Sequence, residues 1–196
     1  MTYPSCVTLA NLAASCDAIK KVGGVKSRFY IGQKPDIASL TFGTNGEVTA
    51  MTLSAGKKLG KYDGMQFKNT ASFETLPNEN RNMFNQTFAG VLFYKTQAEL
   101  EAIEKLLISD RLFAIIETEA GQMKVYGIDK NPFYAADLGD SRGLNISAGA
   151  GGEGTVLADS TGITVTMIGE MYNPVKLYKP ATALATVIAE LDALSA

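Results

Sequence analysis

RLFAIIETE (residues 111–119), turned by Ala120-Gly121 into QMKVYGI (residues 122–128), sets the architecture of this chain. Leu112, Ala114 and Ile116 alternate with Phe113, Ile115 and Glu117, the two-residue period of a β-strand. Both faces are largely apolar, so the strand is expected to be central or covered on both sides. In the second segment polar Gln122 and Lys124 alternate with Met123 and Val125. With the Ala-Gly turn between them, the two segments predict a hairpin.

Upstream, SRFYIG places Phe29 and Ile31 on one strand face and Arg28 and Tyr30 on the other. DIASLTF and EVTAMTL follow as strands joined by Asn45-Gly46, a dipeptide that tolerates the positive φ of a tight hairpin turn. Asp63-Gly64 predicts a second turn before MQFKNTASFETL, where Met65, Phe67, Ala71 and Phe73 share a period of two with Asn69 as the polar interruption. RNMFNQTFAGVLFYK is the run richest in aromatic and β-branched residues, with Phe84, Phe88, Phe93 and Tyr94. Gly90 argues against one uninterrupted strand there. Thr96-Gln-Ala-Glu99 is a capping box. Leu100, Ile103 and Leu107 then line one face of a helix expected over residues 97–109.

Residues 129–162 read as the longest loop-like stretch, with five glycines from Gly143 to Gly154, although SRGLNIS (residues 141–147) within it is compatible with a strand. AGAGGEG lacks the lysine and following Ser or Thr of a phosphate loop, so a flexible hairpin tip is the preferred reading over a ligand loop. GITVTMIGEM supplies the last patterned strand, with Ile163, Val165 and Met167 opposed to Thr164, Thr166 and Ile168. Pro180 fits the first turn of a terminal helix, in which Leu184, Val187, Ile188, Leu191 and Leu194 form an apolar stripe needing cover. The domain organisation is a peripheral segment over residues 1–24, a β-rich domain over 25–178 with its long loop at 129–162, and the helix over 179–196.

The 196 residues suffice for a sizeable core, with 46% hydrophobic residues and 19% charged ones. A net charge of -2 supplies no basic patch for a phosphate backbone, and Lys57, Lys58 and Lys61 read as a solvated turn. Cys6 and Cys16 make neither a CxxC motif nor a disulfide framework, and buried free thiols are the preferred reading. No secretory signal and no apolar run of membrane-spanning length is apparent. With no histidine in the chain, Ser-His-Asp and Cys-His catalysis and the usual zinc motifs are excluded. Asp137 and Asp140 lack the spacing of a calcium loop. Glu117 and Glu119 would share a strand face, where burial would raise one carboxyl. Asp63, Asp110 and Asp129 fit turns, and Glu170 fits a partner contact. No catalytic, cofactor or metal residue is assigned, no cofactor is expected, and the chain reads as a non-enzyme.

The order of elements, together with QMKVYGIDK (residues 122–130) and DSTGITVTMIGEMYNP (residues 159–174), resembles phage tail-tube-related virion proteins. As an arrangement the resemblance spans residues 25–178. It implies an α+β, β-dominated fold, a β-sandwich or partly open barrel with one internal helix and a C-terminal helix. It also implies copies assembled into rings, commonly sixfold, that stack into a conduit with DNA as passing cargo and other virion proteins as partners. The location implied is the virion, with the host cytoplasm before assembly. The long N-terminal segment and the apolar C-terminal helix depart from the simplest tube subunit and leave a connector or another virion component open. Residues 129–162 are the candidate inter-subunit arm. A non-catalytic binding or adhesive module and a small enzyme using buried carboxylates are the alternatives.

Overall fold

The computed structural model describes residues 24–64, 68–76, 83–94, 96–129, 142–152, 162–180 and 183–196. The peripheral segment with Cys6 and Cys16, Met65 and Phe67, and Asp137 and Asp140 lie outside the described residues.

Strand β1 (Val25–Gln33) serves two cores because its side chains alternate. It pairs antiparallel with β4 (Gly60–Asp63) on one side and with β7 (Leu112–Thr118) on the other. β8 (Met123–Tyr126) and the two-residue β11 (Lys176–Leu177) continue the sheet in the order β11-β8-β7-β1-β4. A second sheet takes the order β5-β6-β10-β9, with β5 at Thr70–Leu76, β6 at Met83–Leu92, β9 at Asn145–Gly152 and β10 at Gly162–Met171. All its neighbours are antiparallel. β2 (Ile37–Phe42) and β3 (Val48–Leu53) form a separate hairpin, turned at Gly46 with φ 81°.

Phe29, Ile31, Leu112, Ala114 and Ile116 face the second sheet and pack on its Phe88, Leu92, Val165 and Met167. Ile103 and Leu106 of helix α1 (Gln97–Leu107) join that core. The opposite face of the five-stranded sheet, with Tyr30, Phe113, Ile115, Met123 and Val125, packs against the β2–β3 hairpin and helix α2 (Leu184–Ser195). Six successive residues of β7 are therefore buried, as its two apolar faces require. Each such large side chain contributes about 1.5–3 kcal/mol relative to exposure. The fold is α+β and β-dominated, with one internal and one C-terminal helix. Its two main sheets face one another and stay open; neither closes into a barrel.

The capping box forms as the sequence dictates: Glu99 N–H donates to Thr96 Oγ1 at 3.3 Å and Thr96 N–H to Glu99 Oε2 at 3.0 Å. The helix stops at Leu107, two residues earlier than expected, with Ile108 as C-cap. β6 runs unbroken through Gly90, because a Cβ there would come within 2.9 Å of Phe29 Cζ. Glycine at this position admits an aromatic ring rather than interrupting a strand.

The larger correction concerns residues 129–162. Asn145–Gly152 is not loop but strand β9, paired with β10 along its length apart from a bulge between Thr166 and Met167. Here too glycine answers close approach: a Cβ on Gly149 would meet Leu107 Cδ2 at 2.9 Å, and one on Gly151 would meet Ile163 Cγ1 at 2.8 Å. The reading of the whole stretch as a flexible arm therefore fails for its strand portion. Pro180 also lies outside the terminal helix, whose N-cap is Ala183. The apolar stripe of α2 finds cover within the chain: Val187 and Leu191 are buried, and Leu184 and Leu194 pack against the second core.

Candidate functional site

The ionisable groups that could carry chemistry are mostly engaged in holding the layers. Glu117 is buried on β7 and receives the Lys26 ammonium at 2.6 Å. Glu119 lies past the end of β7, where its N–H donates to Gly24 O at 3.1 Å. The two carboxylates thus do not share a strand face, contrary to the spacing argument. Asp129 is buried and its Oδ2 accepts the Tyr172 N–H at 2.7 Å, a backbone-capping role. Gln86 bridges segments in the same way, accepting from Gly127 N–H at 2.9 Å and donating to Asn173 O at 3.0 Å. Arg142 stacks over the Tyr172 ring at 3.9 Å and donates to its hydroxyl at 2.6 Å.

Of the lysines read as a solvated turn, Lys57 pairs with Asp36 at 3.0 Å and Lys61 with Asp192 at 2.8 Å. Lys61 stands in β4. Tyr30 also donates to Asp192, at 2.7 Å, so α2 is pinned to the sheet by charge as well as by its apolar stripe. The Lys61 ammonium, and next the Tyr30 hydroxyl, hold the Asp192 carboxyl below the usual carboxylate range. Burial, and then the contact with Asp192, pushes the Tyr30 hydroxyl up. Among the described residues no group of three or more His, Cys, Asp or Glu side chains is placed to hold a metal ion.

A cleft of about 710 Å³ opens between the two sheets, lined by Val25, Asn69, Ala71, Gln122, Lys124 and Tyr126 among others. Its polar side chains come from the start of β5 (Asn69, Thr70), from β7 (Thr118), from the β7–β8 turn (Gln122) and from β8 (Lys124, Tyr126), and among the described residues its lining includes no carboxylate.

What distinguishes the molecule is the second sheet. Register with the buried residues assigns its two faces. Ala71, Phe88, Met167 and Ile146 form one inward row, while Ser72 and Thr87, Glu74 and Asn85, and Thr166 and Ala148 pair on the outward face. The outward face mixes small and hydroxylic side chains, such as Thr87, Ala89, Thr164, Thr166, Ala148 and Ala150, with the apolar Val91 and the exposed Ile168. The four strands contain no lysine or arginine, and their two charged residues, Glu74 and Glu170, both lie opposite Asn85 on that face. The expected partner-facing position of Glu170 is therefore on an exposed sheet surface.

The edges of the two sheets differ in kind. The five-stranded sheet ends in β11, two residues long, and β4, four residues long and carrying Lys61 and Asp63. Short, charged edges resist pairing with other chains. The four-stranded sheet ends in β5, seven residues, and β9, eight residues, with neither proline nor lysine in either. Phe73 on β5 is 50% exposed, although its period of two suggests a core residue. Sequence alternation assigns its face correctly; it does not show that the face extends past the covering sheet.

Neither the scan against protein-family models nor the search of curated proteins finds a match to this chain.

Proposed function

We propose that the chain is a non-catalytic structural subunit of a phage tail tube or related virion ring, joined head to tail through β5 and β9 into a conduit for DNA. The observation that carries this reading is that, among the described residues, both edges of one sheet are long and have no strand paired on their outer side. Unpaired backbone N–H and C=O groups along an edge seek another strand. A four-stranded antiparallel sheet ends in strands of opposite direction, so β9 of one copy and β5 of the next continue the alternation without a break. Such a contact is heterologous, and it closes into a ring when the rotation between copies fits. The outward face of the second sheet suits the wall of a passage: small and hydroxylic side chains predominate beside Val91 and Ile168, and the charges its strands carry, Glu74 and Glu170, repel phosphate.

The test is assembly itself. At micromolar concentration the protein should sediment as a multimer and show rings or tubes by negative-stain microscopy. Ser72→Lys with Ala150→Lys supplies the edge with the guard it lacks, and this variant should remain folded and monomeric. A wild-type protein that stays strictly monomeric under assembly-permitting conditions overturns the reading. The cleft between the sheets favours a second reading, a binding module acting as a monomer, and that same result would select it.

A further inference from the structure

The head-to-tail reading does not by itself say where along β9 the incoming β5 lies. At one end of β9 the flank is taken. Leu144 N–H donates to Leu112 O at 2.7 Å, and Leu112 N–H donates to Leu144 O at 2.7 Å. Both backbone groups of Leu144 are thereby engaged, whereas the next residue, Asn145, pairs with Ile168 of β10. Successive strand residues point their backbone groups to opposite sides, so Leu112 occupies the side of the chain away from β10. Arg111 adds to the obstruction, its N–H donating to Asn145 Oδ1 at 3.2 Å. An incoming strand must therefore lie beyond Asn145.

Thr70–Leu76 is seven residues long, and laid antiparallel beyond Asn145 it fills β9 from residue 146 to 152. That register sets Phe73 opposite Gly149. Both are on the inward face, since Phe73 pairs with Gln86 and Gly149 with Val165, each buried. A slip of two residues toward Asn145 drives the strand into Leu112, and a slip the other way carries it past the end of β9. Gly149 offers no side chain of its own, and Leu107 stands against it. Ile108, the C-cap residue that follows Leu107, is the most exposed large apolar side chain among the described residues, at 86%. Leu107 takes the place that a side chain on Gly149 would fill, so an aromatic ring laid across this glycine finds an apolar side chain to pack on. Closure of a sheet also demands a stagger between successive copies, which this offset supplies.

We infer that Phe73 of one copy packs over Gly149 of the next, against Leu107 and Ile108, and so sets the register of the seam; this rests on the head-to-tail reading above. The register places Ser72 opposite Ala150 on the outward face, where both are exposed.

The experiment uses the full chain with Cys6→Ser and Cys16→Ser, so that only introduced thiols react. Ser72→Cys with Ala150→Cys should give, on mild oxidation of assembled protein, a ladder of covalent dimers, trimers and higher species. Ser72→Cys with Ala148→Cys, two residues out of register, should cross-link at most weakly. Phe73→Ala should raise the concentration for half-assembly about tenfold, a larger effect than the modest fall in monomer melting temperature from its lost contact with the Phe84 ring at 6.4 Å, and Phe73→Tyr should restore assembly. Rings that cross-link through residue 148 in preference to 150, or that form equally well with Phe73→Ala, overturn the inference while leaving the assembly reading intact. If the cysteine-free parent does not assemble, the assembly reading fails and the inference falls with it.

Discussion

Phe29 and Gly90 should be coupled energetically, and the coupling tests how the two sheets are held together. Phe29 is wholly buried between the layers, stacked on Tyr62 at a centroid distance of 5.7 Å and edge-on to Phe88 at 5.1 Å. Each aromatic pair is worth about 0.5–1.5 kcal/mol beyond area burial, so Phe29→Leu should cost about 1–3 kcal/mol. Gly90→Ala places a methyl within 2.9 Å of Phe29 Cζ, and overpacking of this kind costs about 1–3 kcal/mol. In the double variant the leucine has no atom where Cζ stood, so the closest clash is relieved and only the tight approach to Phe88 Cζ at 3.2 Å remains. The cost of the alanine should fall by at least about 1 kcal/mol. Urea unfolding of the four proteins, with m unchanged, measures the cycle. Gly64→Ala is the control. Its Cβ would meet Val91 O at 2.8 Å as well as Phe29 Cε1 at 2.8 Å, and a backbone oxygen is not relieved by trimming the ring. Additivity of Phe29→Leu and Gly90→Ala within about 0.5 kcal/mol would refute the reasoning.

Burial pushes Tyr126 up to about 12, and burial together with the nearby Glu190 does the same for Tyr178. A raised folded value means their contribution is fully present below the ordinary tyrosine value of about 10 and is lost as pH climbs towards 12. Melting temperature should therefore decline across that interval, and Tyr126→Phe with Tyr178→Phe should flatten the decline; an unchanged slope would count against the assignment. For Asp192 the sign is opposite: its lowered value makes the contact with Lys61 and Tyr30 stabilising above about pH 4 and lost as pH falls below it. Asp192→Asn should abolish that part of the acid transition, read by circular dichroism between pH 5 and pH 2. Thr96→Ala removes the capping hydroxyl of α1 and should cost about 1 kcal/mol in chemical denaturation, with Thr96→Ser retaining most of it.

The strands that bury one or both faces were legible because alternation survives without knowledge of the partner. Leu112 to Glu117 and Ile163 to Met167 illustrate this, as does the capping box at Thr96 and Glu99. Glycine was the systematic source of error. Gly90, Gly149 and Gly151 read as breaks or mobile loop, yet each makes room for a side chain remote in sequence: Phe29, Leu107 or Ile163. That requirement is tertiary and leaves no local pattern. β4 passed unnoticed because Gly60–Asp63 is four residues of mixed character whose only strand neighbour is β1. Glu117 and Glu119 have the spacing of a shared strand face, but β7 ends at Thr118 and that end has no local signature. The exposure of Phe73 depends on how far the facing sheet reaches, which alternation cannot express.

The contrast between the two sheets argues against a generic explanation for the bare edges. Had the whole molecule been poor in protective devices, the glycine and threonine content alone would account for β5 and β9. The five-stranded sheet instead ends in a two-residue strand and in a short strand carrying Lys61 and Asp63, and its back is covered by α2 and the β2–β3 hairpin. Among the described residues protection is thus present on one layer and missing on the other, and the four strands of the layer without it contain no lysine or arginine. An isolated monomer gains nothing from that division, since one unguarded sheet is enough to aggregate. In a closed ring the division is coherent. On the proposed reading the second sheet would give its edges to its neighbours and turn the face with Glu74 and Glu170 to the passage, while the guarded sheet, α2 and the hairpin would form the layer behind it.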